Sequence, residues 1–96
     1  MRVSVHRLAE NELDESTEFY AVSEPGVEQD FVDSISSAID NPRQFPLASP
    51  IKIGEIRSNV LKTFPFSIFY RVSHSTIRIL AISHQSREPY YWIDRE

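Results

Sequence analysis

The chain has no cysteine and only two glycines, Gly26 and Gly54, in its 96 residues. The first absence excludes disulfides and thiolate metal sites and suits a reducing compartment. The second excludes a glycine-rich phosphate loop. No apolar run approaches the roughly 20 residues of a membrane span. The opening stretch, MRVSVHRLAENELDE, turns acidic too early for a signal peptide. The expected location is therefore the cytoplasm, away from membranes. His6, His74 and His84 show neither HxxH nor HExxH spacing, so neither a metal site nor a cofactor is expected. No serine sits in a nucleophile elbow.

A chain of this length makes one domain, residues 1–96, and buries roughly 60–65% of its unfolded surface. The net charge of −4 is unevenly spread. Residues 1–48 carry three arginines against ten carboxylates, and residues 49–96 carry seven Lys and Arg against four. That asymmetry implies a basic face on an acidic molecule.

Arg2–Arg7 alternates, with Val3 and Val5 on one side, and reads as a first strand. A helix over about residues 10–23 follows, with Leu13, Thr17 and Tyr20 at helical spacing and carboxylates crowding its first turns. Pro25-Gly26 breaks it. Val27, Phe31, Ile35, Ala38 and Ile39 form the apolar stripe of a second helix over about 27–41, which Asn41-Pro42 should end. Residues 42–54 read as an irregular connector, with Phe45 and Leu47 tucked onto the core. A strand is expected over Glu55–Thr63. The class is α+β: an antiparallel helical hairpin packed on an antiparallel sheet, in the order β-α-α-β-β-β with a short aromatic tail.

The centre of the chain is FPFSIFYRVSHSTIRILAISH, residues 64–84. Two β-branched and aromatic runs flank Ser73-His74-Ser75, the signature of a hairpin. A two-residue loop at His74-Ser75 pairs Val72 with Ile77, Tyr70 with Ile79 and Ile68 with Ala81. One face is then apolar throughout (Phe66, Ile68, Tyr70, Val72, Ile77, Ile79, Ala81) and reads as core. The other carries Phe69, Arg71, Arg78, Leu80, Ile82 and His84 and reads as a partner surface. Arg71 lies across from Arg78, so an anionic group is expected between them. Trp92 is expected to fold back over the hairpin.

Arg57, Arg71, Arg78, Arg87, His84, Tyr90 and Tyr91 form the remaining cluster. Arginine and tyrosine on one sheet face suit either of two tasks. They can bind phosphates and stack a base, or they can anchor an acidic amphipathic peptide. The apolar side chains among the arginines favour the peptide.

The motifs RxxxLKxFPFxIxYRV and ILAISHxxREPxYW, carried by Arg57, Leu61, Phe64-Pro65-Phe66, Tyr70-Arg71, Ile79–His84, Arg87-Glu88-Pro89 and Tyr91-Trp92, resemble the RelE/ParE superfamily of type II toxins. The likeness spans essentially the whole chain. It implies a toxin of a toxin–antitoxin module of the plasmid-stabilising kind, bound by a cognate antitoxin in a hetero-oligomer. RelE-like members cut mRNA in the ribosome, whereas ParE-like members poison DNA gyrase and are not hydrolases. The ribonuclease branch has basic residues where this chain has Ser58, Val60 and Ser67. Only Arg87 and Tyr91 match its catalytic residues. A pI near 5.3 also suits poorly a protein seated on ribosomal RNA. The resemblance is therefore to the ParE-like branch, with mRNA cleavage and an inactive, antitoxin-binding homologue as alternatives. Phe69, Arg71, Arg78, Leu80, Ile82 and His84 are the expected antitoxin contacts.

Overall fold

Gly54 sits at a tight turn with φ of 55°, a conformation that favours glycine, and the turn creates an additional strand. It joins β2 (Ile51–Ile53) to β3 (Ile56–Val60), so part of the expected connector is strand. The computed structural model describes residues 1–96. Its remaining elements are β1 (Arg2–Val5), α1 (Arg7–Ser23), α2 (Val27–Gln44), β4 (Phe66–Ser73) and β5 (Thr76–His84). The sheet has five strands in the order β1-β5-β4-β3-β2. β1 pairs parallel to β5 and every other pair is antiparallel, so the sheet is mixed. The α+β class and the helical hairpin agree with the sequence reading.

α1 begins earlier than expected, because His6 caps it with Nδ1 accepting from the Leu8 N–H. α2 runs past Pro42, where the sequence called for a stop. Proline removes the N–H that would have met the Ala38 carbonyl. Asn59 on β3 supplies the substitute, its Nδ2 donating to that carbonyl at 2.8 Å. The helix thus continues with its carbonyl satisfied from the sheet.

The β4–β5 hairpin turns at His74-Ser75, and the expected pairs Tyr70–Ile79, Arg71–Arg78 and Val72–Ile77 are present. A bulge then shifts the register: Phe69 pairs with Ala81, leaving Leu80 as the additional residue. Ile68 consequently faces Ile82, where the sequence pattern had given Ala81. A one-residue slip exchanges the faces of the strand. Ile82 therefore joins the helix-side core with Phe31, Ile35, Ile68, Tyr70, Ile77 and Ile79, and Ala81 moves to the opposite face.

On the helix side, Tyr20, Phe31, Phe64 and Phe66 form an aromatic cluster with Phe31 and Phe66 centroids 4.9 Å apart. The other face carries a smaller core of Ile56, Phe69, Leu80, Ala81 and Trp92. Phe45 and Leu47 remain 59% and 67% exposed, so the connector does not pack onto the core as expected. No helix is long and apolar enough to cross a membrane.

Candidate functional site

The sheet face away from the helices was expected to be a partner surface, with Trp92 folded back over the hairpin, and the chain itself covers it. Residues 85–96 leave β5, turn, and lay Trp92 on Phe69 in a stack with centroids 4.2 Å apart and planes 24° apart. Trp92 is 2% exposed. Phe69, Leu80 and Ile82 are 8%, 0% and 2% exposed, so none of them offers a free partner surface. The first two lie under Trp92, and the bulge has carried Ile82 to the helix side.

Arg71 and Arg78 do lie side by side on this face, each half-buried. Arg71 Nη2 and Arg78 Nε both donate to the main-chain oxygen of Glu96, each at 3.3 Å. Arg78 also donates to Ser4 Oγ on β1. Neither guanidinium is paired with an Asp or Glu side chain. The place expected for an anionic group between them is thus taken by this main-chain oxygen. Arg57 does not belong to the cluster: it points to the helix side, where its guanidinium donates to the carbonyls of Leu47 and Ser49. His84 also faces the helix side, edge-on to Phe66 at 5.0 Å, with Nδ1 accepting from the Ser86 N–H.

The strongest polar constellation centres on Glu12 of α1, a residue the sequence hid within an acidic run. Its carboxylate is nearly buried and accepts from the Ile82 N–H (3.0 Å), the Tyr91 hydroxyl (2.5 Å) and Arg95 (2.9 and 3.1 Å). Arg95 also donates to the Leu80 carbonyl. β1 ends opposite Ile79, so the outer edge of β5 beyond it needs other partners, and Glu12 and Arg95 provide them. Arg87 lies 3.8 Å from Glu12 and stacks on the Tyr91 ring at 3.9 Å. Burial first, and then the hydrogen bond to Glu12, raise the Tyr91 pKa above its usual value. The phenol is held as a donor, a poor state for a base.

A shallow cleft of about 220 Å³ opens beside this cluster, between Lys52 on β2 and the turn after β5, with Ser67, Arg87, Tyr90 and Trp92 among its walls. The Lys52 ammonium sits 5.4 Å from the centroid of the Tyr90 ring. Nothing in the spacing of the sequence brings Lys52 or Arg95 to this face. Arg87 and Tyr91 do meet, as the sequence suggested, but around a carboxylate from the opposite end of the chain.

Residues 3–89 match the family described as the ParE toxin of the type II toxin–antitoxin system parDE. The chain belongs to the ParE toxin family. Among solved structures, this ParE-family chain is similar to one titled as the chromosomal ParDE toxin–antitoxin system from P. aeruginosa, with a TM-score of 0.77 and 25% sequence identity. The likeness covers 88% of this chain and 95% of that one. No curated protein matches.

Proposed function

We propose that this ParE-family chain is a cytoplasmic toxin that inhibits DNA gyrase and is neutralised by a cognate antitoxin in a hetero-oligomeric complex. The observation that carries the choice of target is the state of Arg87 and Tyr91. A ribonuclease of this superfamily would need both free at a scissile phosphate, beside further cations. Here Glu12 holds the Tyr91 proton, Arg87 is stacked on the same ring, and the neighbouring strand positions are Ser58, Val60 and Ser67. The one further cation at the cleft, Lys52, stands against the Tyr90 ring, and with Arg87 and Tyr91 engaged by each other and by Glu12 this supports a target other than mRNA.

The antitoxin contact that the arginines support is narrower than the one the sequence suggested. Arg71 and Arg78 have no Asp or Glu side chain between them, and an acidic side chain of the antitoxin would take the place of the Glu96 main-chain oxygen in a charge-assisted, bridging contact. Phe69, Leu80 and Ile82 are left out of this contact because they are buried, and His84 because it faces the helices.

The test is a supercoiling assay with purified gyrase, run beside a ribosome and mRNA reaction. Loss of supercoiling with intact message supports the reading. Codon-specific cuts that vanish in Arg87→Ala, with gyrase unaffected, would replace it with mRNA cleavage.

A further inference from the structure

β3 is longer than the strand that covers its outer edge. β2 pairs with it at Ile51–Arg57 and Ile53–Ile56, and the Pro50 carbonyl accepts from the Ser58 N–H. Alternate residues of a strand point their main-chain groups to opposite edges. Ser58 faces the β2 side, so the N–H and C=O of Val60 face that side too, where the chain provides no strand. The Leu61 N–H bonds the other way, to Phe66, which confirms the alternation. Val60 is 56% exposed, an apolar side chain standing at a bare edge.

This edge forms one side of a groove of about 620 Å³, the largest of the three main clefts. α2 forms the opposite wall with Asp33, Ser34, Ser37 and Asn41. The lip beyond Val60 carries Lys62 and Thr63. Asp33 and Lys62 both line the groove without an ion pair to each other or to any other residue. The groove therefore offers main-chain hydrogen bonds along its floor, one apolar contact, a neutral polar wall and two opposite charges left unmatched.

We propose that this groove takes an extended segment of a protein partner, which adds a strand to β3 in line with β2. Main-chain groups of that segment would pair with the Val60 N–H and C=O. Its side chains alternate as any strand's do: an apolar one covers Val60, and small polar ones meet Ser34, Ser37 and Asn41. One cation toward Asp33 and one carboxylate toward Lys62 complete the match. A helix is a poorer occupant, since its main-chain groups are satisfied internally and would leave Val60 bare.

The inference rests on the toxin reading for its partner, the cognate antitoxin which that reading implies and which serves as the probe. Amide hydrogen exchange is measured on the free chain and on the copurified complex. The Val60 amide should exchange fast in the free chain and be protected at least tenfold in the complex. Val60→Pro removes only the outward N–H, and Ser37→Trp fills the groove from an exposed helix position. Each should weaken binding at least tenfold, and the second serves if the first fails to fold. A complex that forms with Val60 unprotected and Ser37→Trp harmless overturns the added strand alone. Failure to form any complex overturns the toxin reading beneath it. Protection of Val60 in the free chain with self-association would assign the groove to a second copy and overturn the proposal.

Discussion

Arg71 and Arg78 stand opposite each other on β4 and β5, and both donate to one main-chain oxygen, that of Glu96. Like charges opposed on a sheet repel, and no Asp or Glu side chain stands between these two to offset it. Arg71→Glu should therefore change the stability of the isolated chain by less than about 1 kcal/mol, since an attractive pair replaces a repulsive one. The same change should weaken binding of the antitoxin more than tenfold by titration calorimetry. An unchanged affinity would move the acidic contact elsewhere on the toxin.

Glu12 is expected to be worth far more than its place in an acidic run suggests. Glu12→Ala leaves the Arg95 charge, the Tyr91 hydroxyl and the Ile82 N–H without their acceptor, a loss of about 3–5 kcal/mol in urea denaturation. Arg87→Ala, which removes a half-exposed partner at 3.8 Å, should cost no more than about 1 kcal/mol. Equal losses for the two would refute the central place given to Glu12.

Pro42 and Asn59 should be coupled. With proline at 42, Asn59→Ala leaves the Ala38 carbonyl without a donor and costs about 0.5–1.5 kcal/mol. In a Pro42→Ala background the helix can supply its own N–H, and the penalty should shrink to less than half. A double-mutant cycle that closes with no interaction energy would contradict this reading.

The two cores are expected to respond separately. Ile79→Ala, on the helix side, should cost about 2–5 kcal/mol. Trp92→Ala should cost about 3–5 kcal/mol and also uncover Phe69, so a fluorescent apolar dye should bind the Trp92 variant and not the Ile79 one. Dye binding by both would mean that the tail is not what shields the second face.

Alkali should loosen the tail before it loosens the sheet. The folded-state pKa of Tyr91 is raised, first by burial and then by its bond to Glu12. The stability held by its proton is therefore whole below pH about 10 and is lost as pH rises through the higher folded value. At the acid end the sign reverses for His6, whose pKa is lowered by burial and then by the charge of Arg78. Its contribution is whole above pH about 6.5 and falls as pH drops through the lower folded value, when Nδ1 can no longer accept from Leu8. Tyrosinate absorbance against pH, with Tyr91→Phe as control, checks the first. The acid limb of thermal melts in His6→Asn, which keeps a cap without a titrating ring, checks the second.

Periodicity was enough for the helical hairpin, the β4–β5 turn and the Arg71–Arg78 pairing, because those depend on neighbours in the sequence. It could not reveal the bulge at Leu80, since the run Ile79–Ile82 is apolar on both strand faces and contains no glycine to mark a slip. Pro42 misled for a related reason: its donor deficit is repaired by Asn59, seventeen residues away and on another element. Trp92 folds back over the hairpin as its sequence suggested, but the Glu12–Arg95 pair beside it was invisible for the same cause. Glu12 and Arg95 lie 83 residues apart along the chain, and nothing in local spacing records that distance.

The position of β5 between β1 and β4 also governs when the molecule can assemble. β5 is the last strand made, yet β1, the first, can pair with nothing else. During synthesis the helical hairpin must wait, its apolar stripe uncovered, until residues 76–84 arrive to complete the surface it packs on. Pairing across such separations carries a large loop-closure cost, so folding of this chain should be slow for its size and exposed to aggregation until nearly all of it has emerged. A message truncated before β5 would yield a chain with two helices and four strand segments, of which β1 has no partner left to pair with.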